Sequence, residues 1–232
     1  MAIGIIGAMT VEIEGILAAM TNVSTTSTAG TTFHQGQLAG KNVVLARCGI
    51  GKVFAAHAAS IVTSHFPVAN VINVGVAGGI APELSIGDVV VSAALVQHDV
   101  EATAFGYALG QVPGSGNAFW QCCQNLICIA QEAAAKTLPS DKKLYTGNIA
   151  TGDQFIHAPQ VKNDIWNNFK PLCVEMEGAA IAQICQTAGI PFVAIRAISD
   201  KADGTAHEDF PAFVEETAEI SAALVIDMIE NL

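Results

Sequence analysis

The sequence predicts a single α/β domain over residues 1–232, in which a central, twisted, mixed β-sheet lies between two layers of helices. Apolar segments of strand length alternate with segments of helical periodicity along the whole chain, as in folds whose helices cover both faces of a sheet. Hydrophobic residues make up 51% of the chain and charged residues 13%, enough to fill a large core. No internal repeat or low-complexity linker divides the 232 residues, and chains of this length commonly form one domain.

The first strand and helix are predicted at the amino terminus. Ala2–Gly7 is a short apolar run that ends in small residues, which is typical of a buried strand followed by a tight turn. Apolar residues then recur at helical spacing, and Thr10 is the expected cap of that helix. These residues are Ile13, Ile16, Leu17 and Met20. Glu12 is therefore expected in the first helical turn, beside the carboxyl end of the strand.

The next segment predicts a hairpin, a helix and a second buried strand. Thr31–Leu38 and Asn42–Arg47 are extended segments joined by a turn, and this hairpin is the reason to expect a mixed sheet. A helix is expected from the Gly49–Lys52 segment to about Phe66, where Pro67 ends it. Val71–Val74 forms a buried strand that leads into a glycine-rich turn at Gly75–Gly79.

The remaining chain continues the alternation of strands and helices. The further expected strands are Asp88–Ala94, Lys143–Ala150, Leu172–Met176 and Phe192–Ile198. The further expected helices are Ala118–Lys136, Pro159–Asn168, Gly178–Ala188 and Asp209–Glu230. Ala102–Asn117 and Gly152–Ala158 are expected to be loops, and a structured loop as long as the first one often carries function.

The charge distribution indicates a small, uncharged or zwitterionic ligand. The chain has 21 acidic and 10 basic residues, a net charge of -11, and no cluster of Lys and Arg. Nucleic acid is therefore not an expected partner. The glycine-rich segments match neither the dinucleotide fingerprint nor a P-loop, so no nucleotide cofactor is expected.

The cysteines and apolar runs indicate a reduced protein outside the membrane. The six cysteines include no Cys-x-x-Cys pair, and the six histidines never lie four residues apart, so no metal site is expected. The longest apolar run, Val68–Ile80, is too short to cross a membrane. Because the amino terminus does not resemble a signal peptide, we expect reduced thiols and a cytoplasmic location.

Acidic residues at strand ends are the candidates for chemistry. Phe192–Ile198 is followed by Ser199 and Asp200, and alternation along the strand places Arg196 and Asp200 on one face. A partly desolvated Asp keeps its proton near neutral pH and suits a general acid. A structural Arg–Asp pair at the strand end is the alternative, and spacing alone leaves both open.

Two other acidic positions carry the same ambiguity. Glu175 and Glu177 flank Met176 before a helix, where one of them suits the hydroxyls of a ribose and either suits the positive end of the helix. Glu12 is likewise explained by its place in a first helical turn. What favours function is that Glu12, Gly78, Glu177 and Asp200 would all surround one crevice at the ends of neighbouring strands.

Six segments, spread over nearly the whole chain, carry a family resemblance: Ile3–Met9, Gly49–Lys52, Thr103–Tyr107, Thr151–Ile156, Val174–Glu177 and Arg196–Asp200. In these segments and in their order the chain resembles the bacterial methylthioadenosine/S-adenosylhomocysteine nucleosidases. The resemblance implies the nucleoside phosphorylase/hydrolase fold, a homodimer, and irreversible cleavage of the bond between adenine and a 5'-thio-substituted ribose. The cleaved nucleosides would be 5'-methylthioadenosine, S-adenosylhomocysteine and 5'-deoxyadenosine.

The resemblance also implies roles for particular residues. Glu12 would activate water, and Asp200 would protonate the departing purine. The implied contacts with the base and the sugar come from Gly78, Phe155, Ile156, Met176, Glu177, Arg196 and Ser199. The implied lining of the alkylthio end is Met9, Ile50, Met176 and Phe210, with Phe105 and Pro113 supplied by the partner subunit.

Two departures from the family's pattern leave alternatives open. Val76 stands where the family usually carries Ser or Thr, and Thr10-Val11 replaces an acidic pair before Glu12. The competing functions are a purine nucleoside phosphorylase, a futalosine-type hydrolase on the same fold, and a nucleoside-binding protein without activity.

Overall fold

Every strand joins one ten-stranded sheet in the computed structural model, which describes residues 1–232. The strands are β1 (Ala2–Gly7), β2 (Thr21–Thr28), β3 (Thr31–Leu38), β4 (Lys41–Arg47), β5 (Val68–Gly79), β6 (Val89–Gln97), β7 (Phe119–Gln121), β8 (Leu144–Thr151), β9 (Cys173–Glu175) and β10 (Phe192–Asp200). The helices are α1 (Thr10–Ala19), α2 (Lys52–His65), α3 (Gln124–Thr137), α4 (Pro159–Phe169), α5 (Gly178–Thr187) and α6 (Ala206–Glu230). Thr103–Phe105 adds one short 3₁₀ helix.

The sheet is mixed, and β5 lies at its centre. β5 pairs in parallel with β1 on one side and with β10 on the other, and its end pairs antiparallel with β9. β6 runs antiparallel to β10 and parallel to β8, while β2, β3 and β4 form an antiparallel arm. Since β8 also pairs with β9, the strands β5, β10, β6, β8 and β9 close a ring.

Two large clusters of buried side chains lie between the sheet and its helices. The first includes Ala55–Val62 of α2 and Ala179–Cys185 of α5, and the second includes residues of α1, α3 and α6. Helices therefore cover both faces of the sheet, and the predicted α/β fold with a mixed central sheet is confirmed. Burial of these apolar faces is the main stabilising contribution to such a fold.

The glycine-rich segment Gly75–Gly79 is not the predicted turn, because it continues β5. Gly75 and Gly78 pair with Arg196 and Asp200 of β10, and Gly78 and Gly79 also pair with β9. With a strand on each side, the backbone groups of this segment have ladder partners and stay extended. The segment thus carries backbone N–H groups to the end of β5 in a fixed register.

Other local predictions were also wrong. Phe119–Gln121 pairs with β6 instead of beginning a helix, and Thr21–Thr28 forms an exposed strand that was not predicted. Thr10 does not cap α1; Met9 occupies the cap position, and the Thr10 hydroxyl accepts a hydrogen bond from Arg47.

All six cysteines are unpaired. None of the helices has both the length and the apolar character needed to cross a membrane.

Candidate active site

A cavity of about 360 Å³ opens where β1, β5 and β10 end. It is lined by Ala8, Met9, Glu12, Ile50, Val76, Ala77, Gly78, Gln154, Phe155, Ile156, Val174, Glu175, Met176, Glu177, Ser199, Asp200 and Phe210. All of the residues predicted to form the site are in this set except Arg196, Phe105 and Pro113. Largely apolar walls with a few carboxylates are typical of a small-molecule site.

Glu12 enters the cavity from the first turn of α1 and is held by three backbone N–H groups. Its Oε2 atom accepts hydrogen bonds from the N–H groups of Ala8 and Met9, each at 2.8 Å, and its Oε1 atom accepts one from Val76 at 3.1 Å. Gly75 lies directly beneath the carboxylate, since a Cβ there would be 2.5 Å from Oε1. These contacts therefore fix the position of the Glu12 carboxylate in the cavity.

Asp200 ends β10 and lies opposite Gly78. Its Oδ1 atom accepts a hydrogen bond from the Ala202 N–H at 2.8 Å, and its Oδ2 atom lies 3.0 Å from the Ser199 hydroxyl. A Cβ on Gly78 would lie 2.8 Å from Oδ1, so only glycine fits there. Ser199 thus supports Asp200, and Gly78 leaves it room.

The two carboxyl groups have different electrostatic environments. Burial raises the pKa of Glu12, and the Arg196 guanidinium and three N–H groups oppose that rise. Burial also raises the pKa of Asp200, which is opposed by one N–H and one hydroxyl while Asp203 and Asp209 raise it further. Burial therefore raises the pKa of both carboxyls, and what distinguishes them is their neighbours: a cation and three N–H groups beside Glu12, but two further carboxylates near Asp200.

Glu177 faces the cavity from the segment after β9. Its Oε1 atom accepts a hydrogen bond of 2.7 Å from the N–H of Gly51, at the start of α2. Burial and the nearby Glu175 carboxylate raise the pKa of Glu177 to about 8. With that pKa, Glu177 is mostly protonated near neutral pH and can donate as well as accept a hydrogen bond.

Arg196 lies behind the cavity and not on its surface. It is 1% exposed, and its Nη2 atom donates to Glu175 Oε2 at 2.6 Å. Its remaining partners are Asn73 and the carbonyl of Ile195. Because Arg196 bonds to Glu175, the alternative of a structural Arg196–Asp200 pair was wrong.

Glu175 has a structural role that the sequence left open. Besides Arg196, its carboxylate accepts hydrogen bonds from the N–H groups of Glu177 and Gly178 and from the Thr151 hydroxyl. It thus stabilises the amino-terminal end of α5, which is the alternative considered for this acidic pair. Glu177, in contrast, bonds to the start of α2.

The apolar walls come from several elements. The rings of Phe155 and Phe210 meet edge to face with their centroids 5.8 Å apart. Val76 contributes its N–H group to Glu12 and its side chain to the lining, so the missing hydroxyl makes this wall more apolar. Sequence reasoning gave no role to the lining residues Ala8, Ala77, Gln154 and Val174, since only the folded strand ends bring them together.

Phe105 and Pro113 lie outside the cavity of their own chain. Phe105 is 84% exposed, and Pro113 is also exposed. Two residues of the cavity lining, Ile50 and Phe155, are also exposed, as are Val53 and Phe54 in the first turn of α2. Exposed apolar surface of this kind is characteristic of an interface.

Comparisons with known proteins place this geometry among nucleoside-cleaving enzymes. The family model of the phosphorylase superfamily matches residues 2–230. A 5'-methylthioadenosine/S-adenosylhomocysteine nucleosidase of Shewanella halifaxensis is 42% identical over the full length of both chains. The nucleosidase of the same name from Neisseria meningitidis, in complex with methylthio-immucillin-A, aligns with a TM-score of 0.96 and 41% identity over 100% of this chain and 99% of that one. A futalosine hydrolase of Helicobacter pylori aligns with a TM-score of 0.94 and 37% identity over 100% and 98%.

Proposed function

The chain belongs to the phosphorylase superfamily and, within it, to the 5'-methylthioadenosine/S-adenosylhomocysteine nucleosidases, and from that membership we propose how its cavity works. It hydrolyses the N-glycosidic bond of both nucleosides and releases adenine and the thio-substituted ribose. The observation that carries this function is the pair of buried carboxyls, Glu12 and Asp200, in one apolar cavity with different hydrogen-bond partners.

Glu12 acts as the base that prepares the water. Cleavage through a cation-like sugar requires a nucleophile at the anomeric carbon, and an ionised carboxylate takes the proton of the attacking water. The three N–H groups that bind Glu12 favour its ionised form against the effect of burial, and they orient the carboxylate. They also hold it still, which limits the misalignment that slows such reactions.

Asp200 acts as the acid that assists the leaving group. Adenine leaves poorly as an anion, so a proton delivered to a ring nitrogen lowers the barrier. Burial raises the pKa of Asp200 and keeps that proton available. After the reaction the water's hydroxyl is on the ribose, Asp200 is ionised and Glu12 carries the water's proton.

The other lining residues position the substrate. Glu177 bonds the ribose hydroxyls and Met176 packs on the sugar, while Phe155 stacks on the purine and the backbone of Ile156 reads its edge. Gly78 allows the purine to approach Asp200, and Ser199 supports that carboxyl.

The alkylthio group is surrounded by Met9, Ile50, Met176 and Phe210. Arg196 acts from behind the cavity, through Glu175 and through its charge beside Glu12.

A homodimer completes the pocket. Phe105 is too exposed to serve its own chain's cavity, and that cavity is lined by exposed Ile50 and Phe155. A second copy that inserts Phe105 and Pro113 there would bury both apolar surfaces, which favours association.

A futalosine-type hydrolase is the second candidate, because the Helicobacter pylori enzyme of that name shares the whole fold. Phosphorolysis is disfavoured, since no lysine, arginine or histidine lines the cavity and the ionised Glu12 would repel phosphate.

Release of free base from 5'-methylthioadenosine, S-adenosylhomocysteine, 5'-deoxyadenosine and futalosine, with and without phosphate, tests these functions together. We expect adenine release from the first three without any need for phosphate. A requirement for phosphate, faster cleavage of futalosine, or no release from any of them would overturn the proposed function.

A further inference from the structure

The loop that carries Phe155 and Ile156 is bonded to the start of α2. The N–H of Lys52 donates to Asp153 Oδ1 at 2.8 Å, next to the N–H of Gly51, which donates to Glu177 Oε1 at 2.7 Å. Two adjacent N–H groups at the start of α2 therefore bond the carboxyl group of Glu177, which lines the cavity, and that of Asp153, which precedes the lining residues Gln154–Ile156. Negative charge is favoured at this end of a helix.

A second set of bonds closes a ring around the same contact. Lys52 Nζ lies 2.6 Å from Asp99 Oδ1, and Asp99 Oδ2 accepts the N–H of Asp153 at 3.0 Å. Lys52, Asp99 and Asp153 are thus each bonded to the other two, and we call these residues the Lys52 ring. Burial would raise the pKa of Asp99, but the hydrogen bonds from Lys52 and Asp153 hold it below its usual value, so Asp99 stays ionised.

Two glycines allow the loop that carries Phe155 to approach His98 and the start of α2. A Cβ on Gly152 would lie 2.2 Å from His98 Nε2, so the loop backbone is in close contact with that imidazole. Gly51 has a φ of 101°, and a Cβ there would be 3.1 Å from Asp153 Oδ1. A side chain at Gly152 would push the loop away from His98, and a side chain at Gly51 would be strained by the positive φ and would crowd Asp153.

Unlike an ordinary surface ion pair, the Lys52 ring connects the start of α2 with the loop that carries Phe155. The side chains of Lys52 and Asp99 are each only 17% exposed, and Asp153 is two residues from Phe155 in the chain. Glu12 and Asp200 receive no hydrogen bond from the ring. Loss of the ring should therefore loosen the wall on which the base stacks without moving the two carboxyls of the reaction.

We propose that Asp153 is a positioning residue. With Lys52 and Asp99 it holds the loop that carries Phe155 at a fixed position relative to Glu177. The start of α2 thereby positions both the residue that stacks on the purine and the residue that bonds the ribose. This proposal rests on the proposed function, since it takes Phe155 as the residue that contacts the base. It gives the ring a role in ground-state binding, and uniform loss of binding raises KM while leaving kcat unchanged.

The test compares Asp153→Ala with Asp153→Asn, in steady-state kinetics with 5'-methylthioadenosine and in inhibition by adenine. For Asp153→Ala we expect KM and the adenine inhibition constant each to rise about tenfold, with kcat within about threefold of the wild type. Asp153→Asn keeps a carbonyl oxygen for the Lys52 N–H and should recover most of the affinity. Asp227→Ala is the matched control, because it removes the Lys136–Asp227 pair between α3 and α6, and its KM should not change.

The outcomes separate the two proposals. If the wild type releases no adenine, the proposed function fails. If the wild type is active and Asp153→Ala leaves KM and the inhibition constant unchanged, or lowers kcat with KM unchanged, the positioning role is wrong. Should Asp153→Ala not fold, Lys52→Met decides: it removes only the Lys52 Nζ contacts, and a rise in KM of about threefold supports the role, while an unchanged KM overturns it.

Discussion

The position of Glu12 depends on the absence of a side chain at Gly75, and Gly75→Ala tests this dependence. A Cβ at that position would lie 2.5 Å from Glu12 Oε1 and 3.0 Å from its Cδ atom. Ordinary contact begins at 3.4 Å, so the carboxylate must move by about 0.9 Å. That shift breaks the 3.1 Å hydrogen bond from the Val76 N–H.

The expected consequence is a loss of turnover without a loss of substrate binding. A displacement of about 1 Å costs about a hundredfold in rate, or about 2.7 kcal/mol in the barrier. Gly75 does not line the cavity, so KM should stay within about threefold of the wild type. The φ of Gly75 is not positive, so the backbone can accept alanine.

Adenine release from 5'-methylthioadenosine measures the effect, and thermal unfolding checks the fold. Gly15→Ala is the matched control on α1, the helix that carries Glu12, because its Cβ would meet its nearest neighbour at an ordinary 3.6 Å. That variant should keep full activity and gain up to about 1 kcal/mol of stability. A folded Gly75→Ala enzyme with the turnover of the wild type would refute the argument that the N–H groups and Gly75 fix the base.

Three other predictions concern the charges behind the cavity and its mouth. Arg196→Met leaves the buried Glu175 carboxylate without its partner, so urea denaturation should show a loss of about 3–5 kcal/mol; a loss under 1 kcal/mol would contradict the pairing. The raised pKa of Glu177 means that the folded state binds a proton more tightly than the unfolded state between about pH 4.5 and 8. This group's contribution to stability is therefore present at low pH and is lost as pH rises, by at most about 1.4 kcal/mol per pH unit. The stability of Glu177→Gln relative to the wild type should then improve from about pH 5 to 8 in urea titrations, and a constant difference would exclude the shift. Phe105→Ala should raise KM for 5'-methylthioadenosine about tenfold while the fold, measured by circular dichroism, is unchanged; an unchanged KM would argue against a pocket completed by the partner subunit.

Local patterns in the sequence predicted most of the fold. β1, β10 and the β3–β4 hairpin were predicted because apolar residues and turn residues recur at strand spacing. β2 escaped because the segment TNVSTTST is almost wholly exposed and has no apolar alternation. Gly75–Gly79 was misjudged because its extended form comes from pairing with β10 and β9, which lie far away in sequence.

The sequence predicted the residues of the site better than the hydrogen bonds between them. Glu12 and Asp200 became candidates because acidic residues follow buried strands, their roles came from the family resemblance, and the structure brings both to one cavity. The pairing of Arg196 with Glu175 and the bond from Gly51 to Glu177 join segments distant in the chain, so spacing gave no sign of either. The catalytic roles and the dimer stay predictions until they are measured.

Adenine release by Glu12→Gln and Asp200→Asn, followed with 5'-methylthioadenosine as substrate, tests the central claim most directly. Each variant keeps the shape of its side chain, and the unfolding temperature should show that each remains folded. If Glu12 is the base and Asp200 the acid, each substitution lowers kcat by between about a hundredfold and ten-thousandfold. A folded variant of either kind that keeps more than about a tenth of the wild-type kcat would contradict the assignment.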